Sequence, residues 1–132
     1  MTNKENLNEL QVNLSNFSNG VNQFFYHPLY KTIQYSDGVK YFFENAGNGA
    51  YWFLTLIATE IKPKLLSDDF YFIELKVNED KTAKITVQRD KGQPVLYEKE
   101  LKFTDCPYSE ASYMFYFDYY KEQQTLILPS EY

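Results

Sequence analysis

The sequence predicts a single α+β domain spanning residues 1–132, with N-terminal helices packed on one face of a four- or five-stranded antiparallel meander. Three observations predict it. Apolar residues recur at helical spacing before Lys62 and at alternating positions after Phe70. Short polar turns separate the alternating runs, which favours antiparallel neighbours. Each strand has one apolar face, and such a face asks for a covering layer of helix.

The elements follow in order. Leu7, Leu10, Leu14 and Phe17 mark a short amphipathic helix that closes near Asn19-Gly20. Pro28 excludes a helix interior from the aromatic stretch 21–36, where a short strand is expected around Thr32–Tyr35. Ser36 or Asp37 then caps a helix whose face is Val39, Phe42, Phe43 and Ala46. Gly47-Asn48-Gly49 breaks it. Ala50 to Ala58 is apolar except for Thr55, so this second segment of the helix pair is expected to be covered on nearly all sides, and Lys62-Pro63-Lys64 ends it.

Tyr71, Ile73, Leu75 and Val77 begin the alternation, and Ala83, Ile85 and Val87 continue it after the turn at 78–81. Val95, Tyr97, Leu101 and Phe103 follow on one face, with Glu98, Glu100 and Lys102 on the other. Tyr113 to Tyr119 and Thr125 to Leu128 supply two more strand-like runs.

Composition limits what such a domain can do. The net charge is −5 with one arginine, Arg89, which argues against direct nucleic-acid binding, because affinity for phosphate comes from lysine and arginine. The acids concentrate late: Asp105, Glu110, Asp118, Glu122 and Glu131 face Lys121 alone. One cysteine, Cys106, excludes an internal disulfide and fits a reducing compartment. Neither a secretory signal nor an apolar run of membrane-spanning length is present, so a cytoplasmic protein is expected.

No catalytic, cofactor or metal site is predicted. Gly47-Asn48-Gly49 lacks the third glycine of a dinucleotide loop, where Trp52 stands instead. His27 is the only histidine and has no nucleophile marked near it; Cys106 has no cationic neighbour in sequence to activate it. Glu98 and Glu100 read as a solvated sheet face with Lys99 and Lys102, and Asp68-Asp69 and Asn78-Glu79-Asp80 read as turns without the ligand alternation of a calcium loop. An enzyme needs several such groups converging, and none reinforces another. A partner-binding set is predicted instead from Tyr108, Glu110, Tyr113, Tyr116, Asp118, Tyr120 and Glu122. Tyrosine is enriched at interfaces and acids steer toward a basic partner. Alternation within 113–120 sends Tyr113, Phe115, Phe117 and Tyr119 one way and Met114, Tyr116, Asp118 and Tyr120 the other.

Several strings carry a resemblance: Tyr35-Ser36-Asp37-Gly38-Val39-Lys40-Tyr41, Ala46-Gly47 with Ala50-Tyr51-Trp52, Leu75-Lys76-Val77-Asn78, Arg89-Asp90 with Gly92 and Pro94-Val95, Thr104-Asp105 with Pro107, and Leu128-Pro129-Ser130-Glu131-Tyr132. On these the chain resembles a family of small, functionally uncharacterised proteins carried by phages, plasmids and other bacterial mobile elements. It departs by inserting Asn48-Gly49 and by its tyrosine-rich run at 113–120. The resemblance supplies no catalytic residues. It implies an antagonist of host defence, anti-CRISPR-like, that binds a CRISPR effector nuclease, RNA-targeting effectors among them, and blocks guide or target engagement. The expected partner is a basic nucleic-acid-binding protein. Two alternatives stay open: a homodimeric accessory protein of a mobile element, and a small-molecule-binding domain with a pocket between Trp52 and the sheet.

Overall fold

A computed structural model describes residues 10, 13, 14, 16, 17, 20, 21, 23–120 and 123–132. Of the expected first helix, Leu10, Asn13 and Leu14 are helical, Leu10 is buried, and Leu14 and Phe17 pack against the core. Leu7 lies outside the described residues.

The aromatic stretch forms a hairpin of β1 (Phe24–Tyr26) and β2 (Ile33–Ser36). Only its second strand is signalled in the sequence. His27 builds the turn: its Nδ1 accepts the amides of Leu29 at 3.0 Å and Tyr30 at 3.1 Å. The buried Nε2 then lies 3.4 Å from Thr55 Oγ1.

Helix α1 (Asp37–Asn45) starts where the sequence places it, with the Val39 amide donating to Ser36 Oγ at 3.1 Å. Val39, Phe42, Phe43 and Ala46 are all buried. After the Gly47-Asn48-Gly49 turn, α2 (Tyr51–Leu56) continues as a π turn (Ile57–Ile61) and a 3-10 turn (Lys62–Lys64). The expectation of cover on nearly all sides needs correction: Phe53, Leu54, Leu56 and Ile57 are buried, whereas Tyr51 is exposed and Trp52 half-buried. No helix among the described residues is long and apolar enough to cross a membrane.

The sheet departs further from expectation. Among the described residues it holds seven strands, adding β3 (Asp69–Val77), β4 (Ala83–Gln88), β5 (Val95–Leu101), β6 (Tyr113–Tyr120) and β7 (Gln123–Ile127). The order is β1-β2-β7-β6-β3-β4-β5, so only β3-β4-β5 is a meander. Strand β6 crosses back to pair with β3, and β2 pairs with β7 in parallel. The sheet is therefore mixed rather than antiparallel. Phe103, expected on the apolar face of β5, lies beyond that strand and is 72 % exposed.

The core lies between the helices and one face of the sheet. Tyr71, Ile73, Leu75, Ile85, Val87, Phe115 and Phe117 rise from the strands, as their alternation requires. Phe42 meets Tyr113 and Phe115 at ring separations of 5.1 Å, and Phe53 meets Phe115 at 5.2 Å. Each buried phenylalanine contributes roughly 1.5–3 kcal/mol, so this cluster ties β6 firmly to the helices. At the margin, Lys99 of β5 also points to the helix side, where it pairs with Glu60 at 2.8 Å.

Candidate functional site

With the described helices on one face, the opposite face of the central strands has no helical cover among the described residues. Register places its residues in rows. Ile127, Tyr116, Phe72 and Gln88 form one row across β7, β6, β3 and β4. Gln34, Thr125, Asp118 and Phe70 form the row on one side of it; Met114, Glu74, Thr86 and Glu98 form the row on the other.

The centre of this face is aromatic. Phe70 and Tyr116 stand 5.1 Å apart, and the Tyr132 ring lies 5.4 Å from each. Phe72 meets Tyr116 at 6.0 Å and is only 3 % exposed, although it points away from the main core. Four rings thus form a second, shallow apolar cluster whose outer member, Tyr132, is 80 % exposed. A contiguous aromatic patch with a polar surround is the anatomy of a protein contact surface.

Charge around the cluster is mixed. Lys84 pairs with Glu98 at 2.7 Å, and Ser112 Oγ donates to Glu74 at 2.5 Å. Asp118 is exposed. Such exposed pairs contribute little energy, so apolar contact dominates what this face offers.

The residues predicted to bind a partner divide into four groups. Tyr116, Asp118 and Tyr120 share the open face, with Tyr120 exposed. Tyr108 and Glu110 sit in the loop before β6; Lys76 holds this loop by donating to the carbonyls of Ser109, at 2.9 Å, and Glu110, and its ammonium stands 6.0 Å from the Tyr108 ring. Tyr113 must be corrected: it is buried against Phe42, and its hydroxyl donates to the Pro107 carbonyl at 2.8 Å, so it is a core residue. Glu122 lies outside the described residues. Sequence reasoning missed Phe70, Phe72 and Tyr132. The signal for the first two was present, since β3 reads apolar on both faces at its start.

His27 and Cys106, both set aside as catalytic from the sequence, are buried in the fold. The His27 ring accepts two backbone amides, and burial lowers its pKa. Cys106 is buried, and desolvation pushes its thiol up to about 11. Glu98 and Glu100 lie on the open face, while Lys99 points to the other, correcting its expected place beside them. Among the described residues no cluster of His, Cys, Asp or Glu has the size to hold a metal.

The last residues of the sequence, which have no sequence-level account beyond Pro129 ending the strand, join both sides of the sheet. Glu131 is 3 % exposed and sits at the start of α1, receiving Ser36 Oγ at 2.5 Å, the Leu128 amide at 3.0 Å and the Gly38 amide at 3.2 Å. A carboxylate there meets unpaired amides and the positive end of the helix dipole. Tyr132 completes the aromatic cluster on the open face.

Fold and face together define a mixed-sheet α+β protein whose described residues give one helix-covered face and one aromatic face without helices. The chain belongs to the Family of unknown function (DUF6876), which matches residues 8–132. A crystal structure of a protein of unknown function from Enterococcus faecalis is similar over 62 % of this chain and 74 % of that one, at 17 % identity and a TM-score of 0.42. No curated protein matches.

Proposed function

We propose that this protein is a non-enzymatic binding module that docks a basic protein partner on its open sheet face, and that it acts in the cytoplasm as an antagonist of a bacterial defence nuclease. The observation that carries the binding reading is the aromatic surface of Phe70, Tyr116 and Tyr132, with Phe72 buried beneath it, on the sheet face that carries no helix among the described residues. Tyrosines of this kind anchor interfaces when a partner removes them from water. The choice of a basic partner rests on the net charge of −5 and the exposed Asp118. The narrower reading, a CRISPR effector whose guide or target channel is blocked, is supported by the resemblance to mobile-element proteins. A single buried thiol fits a reducing compartment.

The test is capture of a nucleoprotein nuclease from the native host, followed by assay of that nuclease with the protein in excess. Inhibition is expected, with little loss at high salt because the rings outweigh the charges. Tyr116→Ala should abolish it. A nuclease that keeps full activity, or equal inhibition by Tyr116→Ala, would sink the reading. A concentration-stable dimer that hides Tyr116 and Tyr120 would assign the same face to a second copy of the chain.

A further inference from the structure

A second feature lies apart from the open face, where the end of β5 meets the start of α2. A hollow of about 250 Å³ is lined by Trp52, Leu101, Phe103, Thr104 and Asp105. Its loop wall is fixed on two sides. The Thr104 amide donates to the Lys81 carbonyl at 2.8 Å, and Asp105 Oδ2 accepts the Asn48 amide at 2.8 Å. This anchoring holds Phe103, largely exposed, and Asp105 beside the half-buried Trp52.

The lining combines two aromatic rings with one carboxylate. Ring faces carry negative charge density and attract organic cations, and a carboxylate adds to that attraction. Elsewhere in the molecule Lys40, Lys62 and Lys76 already stand over Phe25, Tyr119 and Tyr108. Lys102, next to Phe103 in sequence, lines a different hollow with Lys76, Lys84 and Glu100. A hard metal ion would need several oxygen ligands, which one carboxylate does not provide.

We propose that the Trp52–Phe103–Asp105 hollow is a subsite for an organic cation, an alkylammonium or guanidinium group such as lysine and arginine side chains carry. This inference stands apart from the docking role of the open sheet face.

Trp52 is the only tryptophan, so intrinsic fluorescence of the full chain reports the site directly. The chain is titrated at constant ionic strength with tetramethylammonium, with N-acetyl-lysine amide and N-acetyl-arginine amide, and with uncharged 3,3-dimethylbutan-1-ol. Saturable change with the cations and none with the alcohol is expected. Phe103→Ala, at an exposed position where the circular dichroism should match that of the parent chain, should weaken the response on the order of tenfold. Asp105→Asn, which keeps an acceptor for Asn48, should weaken it as well. A stronger response to the amino-acid amides points to a protein side chain as the natural source, and a stronger response to tetramethylammonium points to a small-molecule quaternary ammonium. An equal response to the alcohol, no response to any cation, or an unchanged titration in Phe103→Ala would overturn the proposal.

Discussion

Glu131 and Gly38 fit together so closely that a Cβ on Gly38 would stand 2.7 Å from the Glu131 carboxyl carbon. The glycine leaves room for a buried carboxylate to reach the first turn of α1 from the other end of the chain. Gly38→Ala should therefore destabilise the fold by about 1–3 kcal/mol, through displacement of the carboxylate rather than through backbone strain. Denaturant unfolding of Gly38→Ala, Glu131→Ala and the double variant checks this. The alanine at 38 should cost much less once Glu131 is gone, and additive losses would refute the coupling.

The same carboxylate predicts a pH response. Desolvation raises the Glu131 pKa above its ordinary 4.5, and the neighbouring Asp37 carboxyl adds to the rise; the bonds from Ser36, Leu128 and Gly38 oppose it. The fold thus favours the protonated form. Its stabilising contribution is fully present below pH 4.5 and is lost as pH rises through the raised value. Unfolding midpoints of Glu131→Gln should vary less with pH across that window than those of the parent chain.

His27 works in the opposite sense. Its Nδ1 accepts two backbone amides and cannot also carry a proton, and burial lowers its pKa from 6.5. Its contribution is present above pH 6.5 and lost as pH falls through the lowered value. His27→Asn, whose carbonyl oxygen can accept the same amides, should remove that part of the acid destabilisation. An identical acid limb in parent and variant would refute this role.

Cys106 should be inert in the native protein. With its thiol pushed up to about 11 by burial, almost no thiolate exists at pH 8. Labelling with a thiol reagent is expected only after denaturant is added. Rapid stoichiometric labelling of the folded chain would contradict the buried position.

Gly47 adopts φ 61°, and a Cβ there would lie 2.4 Å from the Asp105 carbonyl oxygen. Gly47→Ala should cost roughly 2 kcal/mol or more, since it combines left-handed backbone with displacement of the loop that holds Asn48. Loss of stability and of the Trp52 fluorescence response together would locate the damage at this turn.

Glu131 and Gly47 also explain what two of the recognisable strings do. Ser36-Asp37-Gly38 is locked to Ser130-Glu131 by the buried carboxylate, and Ala46-Gly47 is seated against Thr104-Asp105. Neither pairing is readable from sequence, because each joins segments more than fifty residues apart. The open face was partly legible: alternation separated Tyr116, Asp118 and Tyr120 from the core set correctly. The same alternation placed Tyr113 in the core, which its inclusion among the binding residues overlooked.

The sequence by itself determined the start of α1, the approximate positions of β3 through β7, and the core-facing side of β3, β4 and β6, while β5 ends before Phe103 and β7 begins at Gln123. Those properties follow from periodicity, a local consequence of backbone geometry. Tertiary structure alone decided that β6 joins β3 instead of β5, that β2 lies parallel to β7, and that Tyr132 meets Phe70 and Tyr116. Strand pairing is a choice among edges with similar hydrogen-bonding capacity. It is settled by which arrangement buries Phe42, Phe53 and Phe115 together, and that depends on the whole chain at once.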